Sequence, residues 1–378
     1  MKQKIVVILI LLLTLISCKK EFNFFQQENE NGLPNYGNVD VENVFTAEDS
    51  QLQDKQNVVN AIQQYYDKVW EKGDLSGGFL VAKGDKILFE SYRGFAKENN
   101  QVPINKDVPL HIASISKSLT AMAVLKLVEA RKINLHDKVT HYFPKFPYKE
   151  VEVIHLLNHR SGLPKYEYFI EKLGLKPKNK YFTNQEVLDL LIQHKPDLAR
   201  NTNTGFMYCN TNYALLALIV EKVTAHPFPL AMQKIVFKPL GMEHTYIFQQ
   251  KDSLSAAQSF YYQGNRLYPT DKLDGIYGDK NCYTTPRDLF KFSKAMYAEN
   301  FLRKSLKDSI FTPYSNERRG VNNYGIGFRM KVFDNGEKLT FHNGWWHGSN
   351  TAFVHLQKSK VTIIALGNKF SRRVYSAL

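Results

Sequence analysis

Three short clusters carry residue types that together could perform acyl transfer. Ser114-Ile-Ser-Lys117 places a hydroxyl and an amine three residues apart. On a helix that spacing puts both side chains on one face, within reach of each other. A helix start supplies unpaired N–H groups and a positive end for a developing oxyanion, and a lysine one turn on can hold or accept the serine proton. Tyr208-Cys-Asn210 adds a phenol that could relay a proton and a carboxamide that could hold a substrate carbonyl. His342-Asn-Gly344 adds a titratable ring followed by a glycine; with Ser114, the N–H of Trp345 could then complete an oxyanion hole. Each pattern is weak alone. Ser17-Cys-Lys-Lys20 also matches the first, and Tyr36-Gly-Asn38 and Tyr314-Ser-Asn316 match the second.

The elements needed to position these clusters are legible from periodicity. Residues 115–131 are apolar almost all round (Leu119, Met122, Val124, Leu125, Leu127, Val128), which predicts a buried helix carrying Lys117 in its first turn. Thr211–Val220, directly after Asn210, predicts a second apolar helix. An amphipathic helix is expected over 57–71, and further helices over 149–158, 184–193, 228–236 and 286–297. Gly78–Ala82 and Ile87–Tyr92 flank Gly84-Asp85, while Tyr324–Phe333 and Lys338–His342 flank Asp334-Asn-Gly336. Both read as hairpins, as do Thr351–Leu356 and Val361–Leu366. Strands near both ends with helices between predict one antiparallel sheet built from N- and C-terminal segments, an α/β (α+β) fold with a helix-rich insertion over about 132–285.

The N-terminus predicts where this domain works. Met1-Lys-Gln-Lys4 is a basic start, Ile5–Ile16 a twelve-residue apolar run, and Leu15-Ile-Ser-Cys18 closes it. The run suits the core of a secretory signal and is short for a membrane span. Residues 21–56 hold eight acidic residues and one basic, rich in Asn and Gln, and read as a flexible tether over 18–56. The remaining 57–378 holds 45 basic and 28 acidic residues, so the net charge of +14 over 378 residues resides in the globular part. A basic domain would ordinarily suggest nucleic acid, but export removes that partner and favours anionic envelope surfaces or substrates. Cys209 and Cys282 have no metal-ligand spacing; an oxidising compartment permits a disulfide between them. No zinc-protease, P-loop, dinucleotide-binding or G-x-S-x-G motif is present.

In this order the three clusters resemble the S-x-x-K, Y-x-N and K/H-x-G signature of the serine β-lactamase/penicillin-binding-protein superfamily. More specifically, the chain resembles the class C β-lactamase-related serine hydrolases, peptidase family S12. Leu156-Leu-Asn-His-Arg-Ser-Gly-Leu-Pro164, Phe237–Met242, Gly278–Leu289 and Tyr324-Gly-Ile-Gly-Phe328 resemble further family blocks. The resemblance runs from about 57 to 368 and implies the β-lactamase/transpeptidase-like fold. It implies Ser114 as acylated nucleophile, Lys117 and Tyr208 as proton carriers, and Asn210 as orienter of the acyl side. His342 would contact a carboxylate or leaving group, Gly344 would keep the strand edge open, and Ser114 and Trp345 would supply oxyanion N–H groups. No metal or organic cofactor is implied. Leu15–Cys18 resembles the bacterial lipobox, which implies lipid on Cys18, and Lys19 resembles the outer-membrane sorting pattern. His342 replaces the lysine of true class C β-lactamases, only ten residues follow Asn368, and Trp345-Trp-His347 crowds the expected cleft mouth. The expectation is an envelope-tethered hydrolase of an ester, a D-amino-acid peptide or a related amide. A true β-lactamase and a degenerate ligand-binding module stand as alternatives.

Overall fold

The computed structural model describes residues 36–98, 102–263 and 266–377; the expected export signal, Cys18 and the expected tether up to 35 lie outside the described residues. Among the described residues ten strands form two sheets. The large sheet contains β1 (Gly77–Lys83), β2 (Lys86–Arg93), β6 (Asn322–Tyr324), β7 (Arg329–Val332), β8 (Lys338–Trp346), β9 (Ser349–Leu356) and β10 (Val361–Gly367), ordered β2-β1-β10-β9-β8-β7-β6. Every pairing in it is antiparallel, and the termini meet where Gly77 to Lys83 face Gly367 to Val361. The small sheet joins β3 (Leu110–His111), β4 (Tyr246–Ile247) and β5 (Cys282–Thr284) in the order β3-β5-β4.

Both faces of the central strands are covered, which is why β1 reads as an unbroken apolar run. On one face α1 (Lys55–Tyr66) and its terminal π turn pack Tyr66 and Trp70 against Phe79, Val81 and Ala365, with Val374 of the C-terminal 3-10 turn (Arg372–Ala377). Against the other face lies a later helix, Pro286–Ala295, through Phe292 on Phe353 and a Ser293–Thr362 hydroxyl contact of 3.1 Å.

The helical insertion is present between β3 and β5. All fourteen residues of α2 (Ser116–Glu129) are buried, as its all-round apolar pattern predicts. It is followed by α3 (Val139–Tyr142), α4 (Val153–Leu157), α5 (Tyr166–Lys172), α6 (Asn184–His194), α7 (Asn210–Thr224) and α8 (Phe228–Met232). The helix expected over 149–158 is only five residues long, because Glu152 is extended, bridges Lys138 and caps the turn with His155. The single strand expected over Tyr324–Phe333 is two, β6 and β7, hinged at Gly325-Ile-Gly327. Gly327 adopts φ +73°, and a Cβ there would lie 2.7 Å from Ala121 Cβ on α2.

The segment expected as tether over 18–56 belongs to the domain from Asn38 onward. Val39 and Val41 are buried, and Val39 N–H donates to Pro239 O at 2.8 Å. Glu42 pairs with the buried Lys294 at 3.4 Å, Phe45 meets Tyr297 edge-on, and Asp85 N–H donates to Ser50 Oγ at 3.1 Å. Residues from Asn38 onward therefore form one unit with the domain. The acidic count obscured three apolar anchors and a carboxylate matched to a buried lysine. Cys209 and Cys282 are both buried free thiols, not a disulfide.

Candidate active site

Ser114 lies in a 3-10 turn, Ala113–Ile115, that leads into α2. The turn is held from three sides. Ile112 N–H donates to Cys282 O at 3.0 Å, Thr351 Oγ1 donates to Ile112 O at 2.9 Å, and Ser116 Oγ donates to Ala113 O at 2.7 Å while accepting from Cys282 N–H. Ala113 takes φ +46°, a left-handed conformation that costs a residue with a Cβ roughly 1–3 kcal/mol and persists only where the surroundings impose it. Ser116, fully engaged and buried, is no rival nucleophile. Ser114 is only half-buried.

Lys117 is wholly buried and donates to Ser114 Oγ at 3.1 Å and to Asp279 O at 2.7 Å. Its Nζ sits 5.0 Å from the centre of the Tyr208 ring. The two motifs, ninety residues apart in the chain, thus meet. Tyr208 itself packs against His159, the two rings tilted with centres 4.4 Å apart, and the Arg329 guanidinium lies 4.6 Å over its ring. His159 Nδ1 faces Cys209 N–H and the Asn212 amide, which makes it an acceptor. Burial, with Lys117 and Arg329 nearby, holds its imidazole neutral.

Asn210 opens α7 and donates through Nδ2 to Glu167 Oε1 at 3.1 Å. The starts of α5 and α7 are stitched together, since Thr211 Oγ1 accepts from Tyr166 N–H and donates to Pro164 O.

His342 is where the structure departs from expectation. Its ring is wholly buried, Nδ1–H donates to Asn343 O at 2.8 Å, and Nε2 accepts from Tyr324 O–H at 3.2 Å. Burial, with the cations Arg329 and Lys117, holds it far below the ordinary histidine range, so no imidazolium is available for a carboxylate. Its place is behind Tyr208 and Tyr324, not on the cleft surface. Gly344 is required for a reason other than an open edge: a Cβ there would lie 2.3 Å from Ile112 O and 2.2 Å from Thr351 Oγ1. Strand β8 therefore runs directly under the turn that carries Ser114, and brings Trp345 beside it. Trp345 is 60% exposed. Trp346, by contrast, is packed: its Nε1–H donates to Asp274 at 2.8 Å and Lys280 lies over its ring. Beyond it a cavity of about 350 Å³, lined by His111, Tyr283, Trp346 and His347 among others, does not reach Ser114, Lys117 or Tyr208.

Glu167, Asp279, His159, Tyr324 and Arg329 were not singled out from sequence. His159 and Tyr324 lie within family blocks quoted above, and Asp279 follows Gly278 in another; those blocks were the available signal. Arg329 and Glu167 carried none.

The beta-lactamase family model matches residues 62–377. Penicillin-binding protein 4* of Bacillus subtilis is 30% identical over 333 residues, covering 83% of this chain and 73% of that protein. The crystal structure of a penicillin binding protein from Bacillus halodurans superposes with a TM-score of 0.72 at 28% identity, covering 82% of this chain and 97% of the other. D-amino acid amidase from Ochrobactrum anthropi shares the fold, with a TM-score of 0.68 at 23% identity over 83% and 91% of the two chains. With the antiparallel sheet, the helical insertion and the three motifs meeting beside α2, the chain belongs to the β-lactamase family and is a serine hydrolase of the β-lactamase/penicillin-binding-protein fold.

Proposed function

We propose that this protein is an envelope-tethered hydrolase that passes acyl groups through Ser114, acting on an ester, a D-amino-acid peptide or a related amide. The observation that carries the reading is the 3.1 Å contact from buried Lys117 Nζ to Ser114 Oγ at the head of a helix. Lys117 and Tyr208 take the hydroxyl proton as Ser114 Oγ bonds to the carbonyl carbon. The negative oxygen is received by N–H groups of Ser114 and Trp345, where strand β8 meets the nucleophile's turn. The proton then passes to the leaving group, and water releases the acyl group from Ser114 by the reverse exchange. Asn210 holds the acyl side through its remaining N–H. His342 braces Tyr208 through Tyr324 and stays neutral.

One observation favours this over the β-lactamase reading: a neutral, enclosed His342 offers no charge to a β-lactam carboxylate. The tether is carried by the apolar run and Cys18, and Cys18→Ser should free the protein from membranes. For the chemistry, Ser114→Ala should lose labelling by a fluorophosphonate while keeping its melting temperature; retained labelling would move the nucleophile elsewhere. Turnover of p-nitrophenyl esters and D-alanyl peptides against nitrocefin separates the two enzyme readings.

A further inference from the structure

Asn210 and Glu167 share one hydrogen bond and leave two oxygens stranded. Asn210 Nδ2 donates to Glu167 Oε1 at 3.1 Å, yet Glu167 Oε2 and Asn210 Oδ1 are both buried and have no partner among the described residues. Stranding buried acceptors is costly, and a carboxylate tolerates it least. A single proton on Oε2 resolves both, because its O–H can donate to Asn210 Oδ1 while Oε1 goes on accepting from Nδ2. We propose that Glu167 carries a proton at neutral pH and pairs with Asn210 as acid with carboxamide, fixing which way the amide faces. This rests on Asn210 acting on the acyl side. The pair uses the amide oxygen and one N–H, and so leaves the second N–H to meet a substrate carbonyl. Glu167 is thereby a positioning residue.

The surroundings agree. Burial raises Glu167 above the usual carboxylate range and Asp279 adds to the rise, against its own backbone N–H and the cations Lys280 and Lys165. Asp279 is already engaged: it accepts from Tyr166 O–H at 2.7 Å and pairs with Lys280 at 3.5 Å. From α5 itself Tyr166 faces this group as a phenol that burial keeps protonated. From the start of α7 Cys209 faces it with a thiol pushed up to about 12, so neither contributes charge.

Glutamine mimics the protonated acid, with an acceptor oxygen and a donor, whereas alanine removes the pair. We therefore expect Glu167→Ala to lower kcat/KM for the p-nitrophenyl ester of N-acetylglycine about tenfold, the size of one lost neutral hydrogen bond. The loss on p-nitrophenyl acetate, which lacks an acyl-side amide, should be smaller. Glu167→Gln should recover activity to within about threefold and lack the wild type's decline as pH rises and Glu167 ionises. Independently of activity, a protonated-carboxyl infrared band present at pH 7 in the wild type should be missing from both variants. A missing wild-type band, or Glu167→Gln as impaired as Glu167→Ala, overturns the proposal and marks Glu167 as an ionised receptor for a substrate cation. If the band is present but substrate preference does not change, the protonated pair stands and the reading of Asn210 fails.

Discussion

Gly344→Ala is the sharpest perturbation of this site, because the structure allows its consequence to be sized. The added Cβ would start 2.2 Å from Thr351 Oγ1, 2.3 Å from Ile112 O and 3.1 Å from Ala113 Cβ. Thr351 can rotate, at the expense of its 2.9 Å bond to Ile112 O, a loss of about 1 kcal/mol. The Ile112 carbonyl is backbone and has no such freedom. To reach an ordinary contact it must retreat by roughly 1 Å, and Ile112 N–H is bound to Cys282 O. Overpacking of this kind costs about 1–3 kcal/mol. Together the two terms predict about 2–4 kcal/mol of lost stability, or a fall in Tm of roughly 3–6 °C for a domain of this size. Ser114 lies two residues beyond the displaced carbonyl, and a 1 Å misplacement of a reacting group costs on the order of 100-fold in rate. The assays are thermal unfolding, the rate of fluorophosphonate labelling, and kcat/KM for p-nitrophenyl acetate. Adding Thr351→Ala should return part of the Tm but little of the rate, since the carbonyl clash remains. If instead Gly344 only keeps the strand edge open to substrate, Gly344→Ala would raise KM and leave labelling and Tm unchanged. That result would refute the packing argument.

Neutral His342 should give no kinetic signature of a titrating imidazole: the ratio of kcat/KM for nitrocefin to that for p-nitrophenyl acetate should not rise from pH 8.5 to pH 6. His342→Gln, which keeps an acceptor for Tyr324 O–H, should have a parallel profile; a limb near pH 6–7 present only in the wild type would contradict this. Acid should also destabilise the fold. His159 and His342 lie well below the ordinary histidine value, and burial holds His111 and His355 at about 3. Below about pH 6.5 the unfolded chain takes up protons at these positions that the folded chain refuses, so stability falls as pH drops. Between pH 6.5 and pH 5 each contributes a loss of roughly 2 kcal/mol. Thermal unfolding at the two pH values measures it, and an unchanged Tm would mean these rings are reachable by protons in the folded state.

The residues that announce themselves in the sequence do so through local pattern. Ser114 and Lys117 share a helix start, and the all-round apolar run behind them could only be a buried α2. Tyr208 and Asn210 directly precede an apolar helix, and the hairpins around Gly84-Asp85 and Asn335-Gly336 follow from turn chemistry within a few residues. The sheet, the helical insertion and the motif order follow from these signals and from the family resemblance. Where signals were mixed, local reading failed: acidic residues outweighed Val39, Val41 and Phe45, so the segment from Asn38 read as tether. Other decisions depended on contacts between distant parts of the chain. Lys117 reaches the carbonyl of Asp279, Asn210 meets Glu167, and Ile112 rests on Gly344. His342 shows the difference most plainly. That it lies on a strand was legible, although the strand runs on to Trp346 rather than ending at His342; its charge was not, because that depends on burial and on Arg329, Lys117 and Tyr324 arriving from separate elements. A pattern identifies which groups are present; packing determines how much water and which charges surround them, and so which of them can act.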